Sequence, residues 1–215
     1  MGLNQIIMQW NFTMTEIKQS SFMAWTTRMN LIKRWPLMYN RQEENISEHS
    51  HQTAVIAHLL TVILNVRYGK DLSPEKAATV AIYHELSETK LQDVNTNLKY
   101  SNPEFAKMFK EIEHTAEVEC LFTLPEDLRE VFEPLIIQKE VDQDYKRIVK
   151  AADILHAYVK TLNELRLHNE EFADAKINLE AKLVEQQELV PAVKDFLEVF
   201  LTNCTATLDK LCKSY

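Results

Sequence analysis

Glycine is nearly absent from this chain, and its scarcity limits the folds that the chain can adopt. Of 215 residues only 2 are glycine, and Gly69 is the only one beyond the extreme N-terminus. Tight β-hairpins depend on glycine in their turns, so a hairpin-rich β architecture is disfavoured. No stretch alternates apolar and polar residues convincingly with the period of two that a half-buried strand shows. The sequence therefore predicts an all-α fold.

Proline and capping signals place the helix boundaries. Ser73 precedes a proline at a first helical position, Pro125 marks a further start, and Gly69 follows a helix end. Eight helices are predicted, over residues 16–32, 46–67, 74–89, 103–123, 126–138, 142–167, 171–187 and 190–212. Residues 89–102 are rich in Asn, Thr and Asp, and we predict a functional loop there. The charged residues between 160 and 190, Lys160 and Glu164 among them, are predicted to form a solvated helix face.

Composition and charge narrow the functional classes. With 46% hydrophobic residues the chain can bury one sizeable core. The net charge of −8 argues against a nucleic-acid polymer as partner. The 3 cysteines share no C-x-x-C spacing, which indicates a reducing compartment. Residues 1–14 lack a signal-peptide pattern, and the longest apolar run, Ala54 to Leu64, is shorter than the ~20 residues of a membrane span. We expect a cytoplasmic protein without a membrane partner.

Four residues of metal-ligand type are spread over three helix-like segments: His49, His84 with Glu85, and Asp153. This order brings imidazoles and carboxylates together on a divalent metal in an all-helical protein and leaves positions for water. It indicates a hydrolase. Asp153 stands among apolar residues and needs a nearby cation, which a metal or Lys150 could supply.

Glu88 lies close to the His84-Glu85 pair in sequence. On the predicted helix over 74–89, His84 and Glu88 share one face, so the three ionisable groups point into one partly buried cavity. There the Glu88 carboxylate can orient or deprotonate a water, or protonate a leaving oxygen. The alternative is that His84 is a hydrogen-bonded core histidine and that both glutamates are solvated.

Arg34 and Trp35 form the predicted substrate reader. No glycine-rich loop is present, so a phosphate group must be held by side chains or by metal. A guanidinium can hold phosphate oxygens with its planar fork, and an indole followed by Pro36 can pack against a sugar or base. The alternative is a core tryptophan beside a surface arginine.

The segments that carry these residues resemble the HD-domain phosphohydrolases, and most closely the bacterial YfbR-like 5'-deoxynucleotidases. The similarity runs from about Lys18 to about Leu201, so it implies an N-terminal extension over 1–15 and one compact helical HD-type domain over 16–215, with the metal site between helices. The segments are NLIKRWPLM (30–38), ENISEHS (44–50), YHELSE (83–88) and VKAADIL (149–155).

The resemblance implies one divalent ion, Co, Mn, Zn or Mg, held by the four ligand-type residues. It departs from the family in one ligand, because Glu85 stands where the pattern has aspartate. The extra methylene would let the carboxylate reach the ion only if the helix shifts or the side chain folds back. Glu85 therefore raises the alternative of a catalytically weakened protein that binds a nucleotide.

The resemblance also implies the substrate and the catalytic residues. Glu88 and Asp93 match catalytic positions, Asp93 also lies at the substrate sugar, and the pair Arg34-Trp35 binds phosphate and favours a 2'-deoxy sugar. The implied activity is release of phosphate from deoxyribonucleoside 5'-monophosphates. The alternative is a deoxynucleoside triphosphate triphosphohydrolase, similar to phage enzymes that act on dATP. A homodimer or larger homo-oligomer is implied, in the bacterial cytosol or, for a phage protein, the host cytosol.

Overall fold

The structure, a computed structural model, describes residues 19–99 and 102–213, with the backbone alone at 96 and 97. Regular structure in these ranges is helical, and extended pairing is limited to an isolated bridge between Lys33 and Asn45. The predicted all-α class is confirmed. The extension predicted over 1–15 lies outside the described residues, and the domain over 16–215 stays a prediction.

The α-helices in the described ranges are α1 (Phe22–Thr26), α2 (Ile46–Tyr68), α3 (Pro74–Tyr83), α4 (Glu88–Leu91), α5 (Thr96–Lys99), α6 (Pro103–Phe122), α7 (Glu126–Ile136), α8 (Gln143–Arg166), α9 (Ala173–Leu189), α10 (Ala192–Asp195), α11 (Leu201–Cys204) and α12 (Leu208–Cys212). Short 3-10 helices cover Thr27–Leu31 and Glu170–Phe172, and a π-helical turn covers Phe196–Phe200. The predicted bounds of α2, α6 and α8 are confirmed to within one residue.

Both ends of the bundle differ from prediction. The helix expected over 16–32 begins at Phe22 and turns into a 3-10 helix at Thr27. The helix expected over 190–212 is broken between α11 and α12, where the Thr207 hydroxyl accepts the amide of Lys210 and caps a new helix. Threonine side chains compete for backbone groups in this way, and apolar periodicity does not reveal it.

The core lies where α2 packs against α3 and α8. One cluster of buried apolar side chains joins these helices to α9 and α10, with Leu60, Val80 and Leu155 fully buried. A second cluster joins α1, α6 and α7 around Leu86 and Cys120. None of the helices in the described ranges has the length and apolarity to span a bilayer.

Lys160 and Glu164 on α8 are buried, so their predicted place on a solvated face is wrong. Glu164 is 1% exposed and accepts the backbone amides of Arg41 and Gln42 at 2.9 Å each. Its carboxylate also accepts the Asn169 side-chain amide at 2.7 Å and pairs with Lys160. This carboxylate anchors the segment that follows Arg34 and Trp35.

We predict that Glu164→Gln destabilises the chain. Burial raises the pKa of Glu164, but the bonds from Asn169, Lys160 and the two amides lower it from 4.5 to about 2. A carboxyl whose pKa is lower in the folded chain than in the unfolded chain stabilises the fold at pH values above its ordinary pKa, here by about 3 kcal/mol at neutral pH. This stabilisation is lost as the pH falls through the folded pKa. Urea titrations should therefore show that the parent loses stability more steeply than the variant as pH falls from about 5 towards 3.

The control for this substitution is Glu185→Gln, which changes an exposed carboxylate on α9. It should leave the free energy of unfolding within about 0.5 kcal/mol of the parent. A Glu164→Gln chain as stable as this control, with the parent's pH dependence, would show that the buried carboxylate does not anchor the segment.

Candidate active site

The helix predicted over 74–89 ends at Tyr83, so His84 and Glu85 lie in a turn and not on a helix. The amide of Leu86 bonds the carbonyl of Tyr83 at 3.0 Å, and the amide of Glu88 bonds the carbonyl of Glu85 at 3.0 Å. The break places Leu86, which is 1% exposed, in the second core cluster. The expected sharing of one helix face by His84 and Glu88 is therefore wrong, because these bonds close turns of three residues and the four-residue spacing of an α-helix is lost.

The four predicted metal ligands nevertheless converge. His49 comes from the first turn of α2, His84 and Glu85 from the turn after α3, and Asp153 from the middle of α8. One side-chain atom from each lies within 4.8 Å of the others. Ligands on opposite sides of one ion are about 4.2 Å apart when metal–ligand bonds are about 2.1 Å. The set, which we call the ligand quartet, is close to the size that one divalent ion needs.

The ring of His84 is prepared for a cation. Its Nδ1 lies 2.6 Å from the carbonyl oxygen of Ala81, which can only accept, so Nδ1 carries the proton. Nε2 is then a bare lone pair, and it is buried without a hydrogen-bond partner. Burial lowers the pKa of His84 and keeps the ring neutral. A neutral imidazole with one nitrogen fixed by a carbonyl is the usual form of a metal ligand. The alternative of a satisfied core histidine does not fit this geometry.

Asp153 uses its two oxygens for two different partners. Oδ2 accepts the ammonium of Lys150 at 2.7 Å, and Oδ1 lies 3.3 Å from Nε2 of His49. Burial raises the pKa of Asp153, but Lys150, His49 and Arg34 together hold it well below the usual range. Lys150 therefore supplies one cation beside Asp153, and Oδ1 of the ionised carboxylate lies on the side of the other quartet residues.

Glu85 reaches the quartet because it lies in the turn. Its Oε1 is 3.5 Å from Nε2 of His84 and 3.8 Å from Nη1 of Arg34. Burial raises the pKa of Glu85, and the neighbouring His84 imidazole and the charge of Arg34 lower it below its ordinary value. The Glu85 carboxylate, which is one methylene longer than that of aspartate, thus lies beside the other members of the quartet, and no helix has to shift to bring it there.

Arg34 is mostly buried, so the alternative of a surface arginine is wrong. Its guanidinium lies 3.6 Å from Glu44 and 3.8 Å from Glu85, and its Nε is buried without a hydrogen-bond partner. Burial lowers the pKa of Arg34, but Asp153, Glu85 and neighbouring carboxylates raise it. A permanently charged group with an unused donor stands directly beside the ligand quartet.

Trp35 has a left-handed backbone, with φ of 54°, an unusual conformation for a bulky residue. Its amide donates to Oδ2 of Asp93 at 3.3 Å, and its ring meets the edge of Phe172 with centroids 5.5 Å apart. The indole nitrogen is buried without a hydrogen-bond partner. Trp35 is therefore partly in the core, as the alternative of a core tryptophan predicted, and its indole N–H can still donate to a ligand.

Glu88 and Asp93 are the two predicted catalytic carboxyls. Glu88 is 6% exposed, and its Oε2 is buried without a hydrogen-bond partner. Burial, then the charges of Glu85 and Asp93, raise its pKa well above the usual range. Burial also raises the pKa of Asp93, against the opposing charge of Arg34. Glu88 is therefore suited to carry a proton.

Two cavities border this cluster. A cavity of about 370 Å³ is lined by His84, Glu85 and Asp153 and by basic side chains of α8. A cavity of about 310 Å³ is lined by Arg34, Trp35 and Asp93 and by residues of α9. Arg34 on the wall of the second cavity lies 3.8 Å from Glu85 on the wall of the first.

Glu44 and His156 also lie at the site, and the sequence analysis gave them no role. One atom from each lies within 4.8 Å of His49 in a second cluster. Burial, then the charge of His49, lowers the pKa of His156 to about 4. His156 could have been predicted from the sequence, because it follows Asp153 by three residues on α8 and so shares its face. Glu44 begins the ENISEHS segment.

Comparison with known proteins identifies the family of this chain. The family model described as 5'-deoxynucleotidase YfbR-like matches residues 21–204. This chain belongs to that family. A 5'-deoxynucleotidase of Vibrio cholerae is 45% identical over 195 residues, covering 91% of this chain and 100% of the relative. The 5'-deoxynucleotidase YfbR of Escherichia coli is 41% identical and covers 91% of this chain and 97% of its own.

Solved structures show the same fold at lower sequence identity. An HD-domain phosphohydrolase from Listeria innocua superposes with a TM-score of 0.75 at 20% identity, over 87% of this chain and 90% of its own. An HD phosphohydrolase of cyanophage S-2L, solved with dA and one catalytic Zn²⁺ ion, gives a TM-score of 0.56 at 16% identity, over 84% of this chain and 96% of its own. The predicted HD-domain architecture is confirmed.

We predict that His84→Ala and Asp153→Ala each remove a bound divalent ion, because each deletes a buried ligand of the quartet. Elemental analysis after dialysis against Zn²⁺ or Mn²⁺ should show about one ion per parent chain and well below one for each variant. His51→Ala, which removes an exposed histidine from α2, is the control and should keep the ion. Full metal content in both site variants would contradict the quartet.

Proposed function

We propose that this chain is a metal-dependent 5'-deoxynucleotidase that releases phosphate from deoxyribonucleoside 5'-monophosphates. Membership of the YfbR-like family supports the activity, and relatives that share most of the chain carry that name. The observation that carries the proposal is the buried, unpartnered Nε2 of His84, which lies among Glu85, Asp153 and His49 beside the guanidinium of Arg34.

The ligand quartet would hold the ion. Two imidazoles with two carboxylates suit Zn²⁺, Mn²⁺ or Co²⁺ better than Mg²⁺, which prefers oxygen ligands. The cyanophage relative in fold, solved with a catalytic Zn²⁺, is in keeping with this class of ion. When bound, a divalent ion polarises a phosphoryl oxygen and lowers the pKa of water.

Arg34 would bind the phosphate. Its unused Nε–H and its planar fork would match two phosphate oxygens, and its position 3.8 Å from Glu85 supports a phosphate bound beside the quartet. The chain has a net charge of −8, so this buried cation supplies positive charge that the surface does not.

Trp35 and Asp93 would contact the sugar. One oxygen of Asp93 accepts the backbone amide of Trp35, which fixes the carboxyl and leaves its second oxygen for a sugar hydroxyl. The Trp35 ring is held by Phe172, so it forms a rigid wall of the 310 Å³ cavity. A rigid wall of this kind would exclude a 2'-hydroxyl and favour a deoxy sugar.

Glu88 would move the proton. The leaving 5'-oxygen needs a proton as the phosphorus–oxygen bond breaks, and Glu88 is a buried carboxyl whose Oε2 has no partner. Glu88 would donate that proton while a water oxygen bonds to phosphorus, and the proton that this water gives up to solvent would balance the one that Glu88 takes back. Glu85, the proposed ligand, lies three residues before Glu88, so the two proposed roles fall on one short turn of the chain.

The test of this function is a phosphate-release screen over mono- and triphosphates of all deoxy- and ribonucleosides, with Mn²⁺, Co²⁺, Mg²⁺ and Zn²⁺ added in turn. We expect inorganic phosphate from deoxynucleoside monophosphates and much less from ribonucleotides. Release of triphosphate would make the chain a triphosphohydrolase. Tight binding without any release would make it a nucleotide-binding protein that Glu85 has disabled.

We infer from the family resemblance that the chain acts in the cytoplasm as a homodimer or larger assembly. Sedimentation equilibrium of the metal-loaded chain measures the assembly directly. A monomer at micromolar concentration would contradict this inference and leave the proposed activity unaffected.

We predict that Arg34→Ala weakens substrate binding without loss of metal. A charge-assisted bond to phosphate contributes roughly 1.5–3 kcal/mol, so KM should rise by about one to two decades. Arg28→Ala is the matched control, because Arg28 is an exposed arginine that also lies over a tryptophan, Trp25. Loss of metal or of fold in Arg34→Ala would show that Arg34 has a structural role.

We predict that Glu88→Gln lowers kcat by roughly 10²–10⁴, the usual contribution of a general acid or base. Glutamine keeps the size of the side chain and removes only the transferable proton, so metal content and thermal stability should match the parent. A substrate whose leaving group needs no proton, such as a p-nitrophenyl phosphate ester, should lose less rate. An equal loss on both substrates would contradict the acid role.

A further inference from the structure

Both ring nitrogens of His49 are engaged by residues of α8. Nε2 lies 3.3 Å from Oδ1 of Asp153, on the side of the ligand quartet, and 3.4 Å from the Thr53 hydroxyl of α2, which can donate to a bare Nε2. Nδ1 lies 2.8 Å from Nδ1 of His156, a hydrogen-bonding distance, with the ring centroids 4.9 Å apart. His49 is fully buried and the side chain of His156 is 12% exposed. His156 is therefore the residue behind His49, opposite the quartet.

The short distance between the two Nδ1 atoms allows two arrangements of protons. A hydrogen bond at 2.8 Å needs one nitrogen that donates and one that accepts. If His156 donates, the proton of a neutral His49 is on Nε2, and that nitrogen has no lone pair for a cation. If His49 donates, its Nε2 is bare and His156 carries its own proton on Nε2. The tautomer of His156 therefore decides whether His49 can serve as a ligand.

We propose that His156 is a positioning residue that accepts the Nδ1 proton of His49 and so holds His49 in the form that binds metal through Nε2. The inference rests on the proposed metal role of His49. Nε2 of His156 can keep its proton in this arrangement, because that ring borders a separate cavity of about 180 Å³ lined by Glu43, Glu48 and Gln52.

Glu44 supports the same arrangement by its charge. Its Oε1 lies 3.5 Å from Nδ1 of His49, 3.6 Å from Nδ1 of His156 and 3.6 Å from Nε of Arg34, and it has no hydrogen-bond partner. These distances exceed those of hydrogen bonds, so Glu44 acts as a buried negative charge beside the proton that the two imidazoles share. The negative charge of Glu44 favours a proton between the two Nδ1 atoms over two lone pairs that face each other.

The second cluster of Glu44, His49 and His156 is not expected to hold a second ion beside the first. An ion there would need the lone pair of Nδ1 of His49, and the quartet needs the lone pair of Nε2. A neutral imidazole has one of these, because its other nitrogen carries the proton. The arrangement therefore predicts one ion per chain, bound at the quartet.

The test compares His156→Asn with His156→Leu. The two side chains are similar in size, and only asparagine offers an acceptor, its Oδ1, close to the place of Nδ1. Affinity for Zn²⁺, measured by competition with a chromophoric chelator, should fall about 10–100-fold in His156→Leu and stay within a few-fold of the parent in His156→Asn. His58→Leu, at an exposed histidine of α2, is the matched control and should match the parent.

Long-range proton–nitrogen NMR of the ¹⁵N-labelled, Zn²⁺-loaded parent reads the tautomers without any dependence on how the variants fold. We expect His156 with its proton on Nε2. A proton on its Nδ1, an unchanged affinity in His156→Leu, or a second ion that His156→Leu removes would each overturn the inference. A parent that binds no ion at all would also overturn the proposed function, whereas unchanged affinity in His156→Leu would leave that function standing.

Discussion

An excess of buried negative charge at the contact between α2 and α8 is the constraint on which the site depends. The side chains of Glu44, Glu85 and Asp153 are 9%, 20% and 15% exposed, and the cations beside them are Arg34 and Lys150. Isolated buried carboxylates are costly, and this cost is relieved by protonation or by a cation. Glu88 illustrates relief by protonation, since its pKa is raised by burial and by its neighbours. A divalent ion at the quartet would supply the cation.

The same short segment links the metal side and the substrate side of the site. Asn45 caps α2 by a reciprocal pair of bonds with Glu48, which fixes the first turn that carries His49. Residues 41 and 42 are held by the buried carboxylate of Glu164, and Arg34 and Trp35 precede them. The guanidinium of Arg34 and the imidazole of His49 are thus anchored through one loop.

The sequence predicted the long helices and the ligand types because these depend on local signals. The bounds of α2 and α8 follow from capping residues and apolar spacing, and the order of His49, His84 and Asp153 predicted that these side chains would converge. The end of α3 at Tyr83 could not be read in this way, because residues up to Leu86 remain compatible with a helix, whereas the structure closes i→i−3 turns there and packs Leu86 against residues that are distant in sequence. Glu164 looked like any other charged helix residue, because the amides that it accepts come from more than 120 positions away.

Anomalous diffraction at the zinc absorption edge, from a crystal of the Zn²⁺-loaded chain, would locate the ion directly. We expect a single peak bonded to Nε2 of His49, Nε2 of His84 and carboxylate oxygens of Glu85 and Asp153, with bonds of about 2.0–2.2 Å. A peak bonded to the other three residues with Glu85 turned away, or a peak between Glu44 and His156, would contradict it.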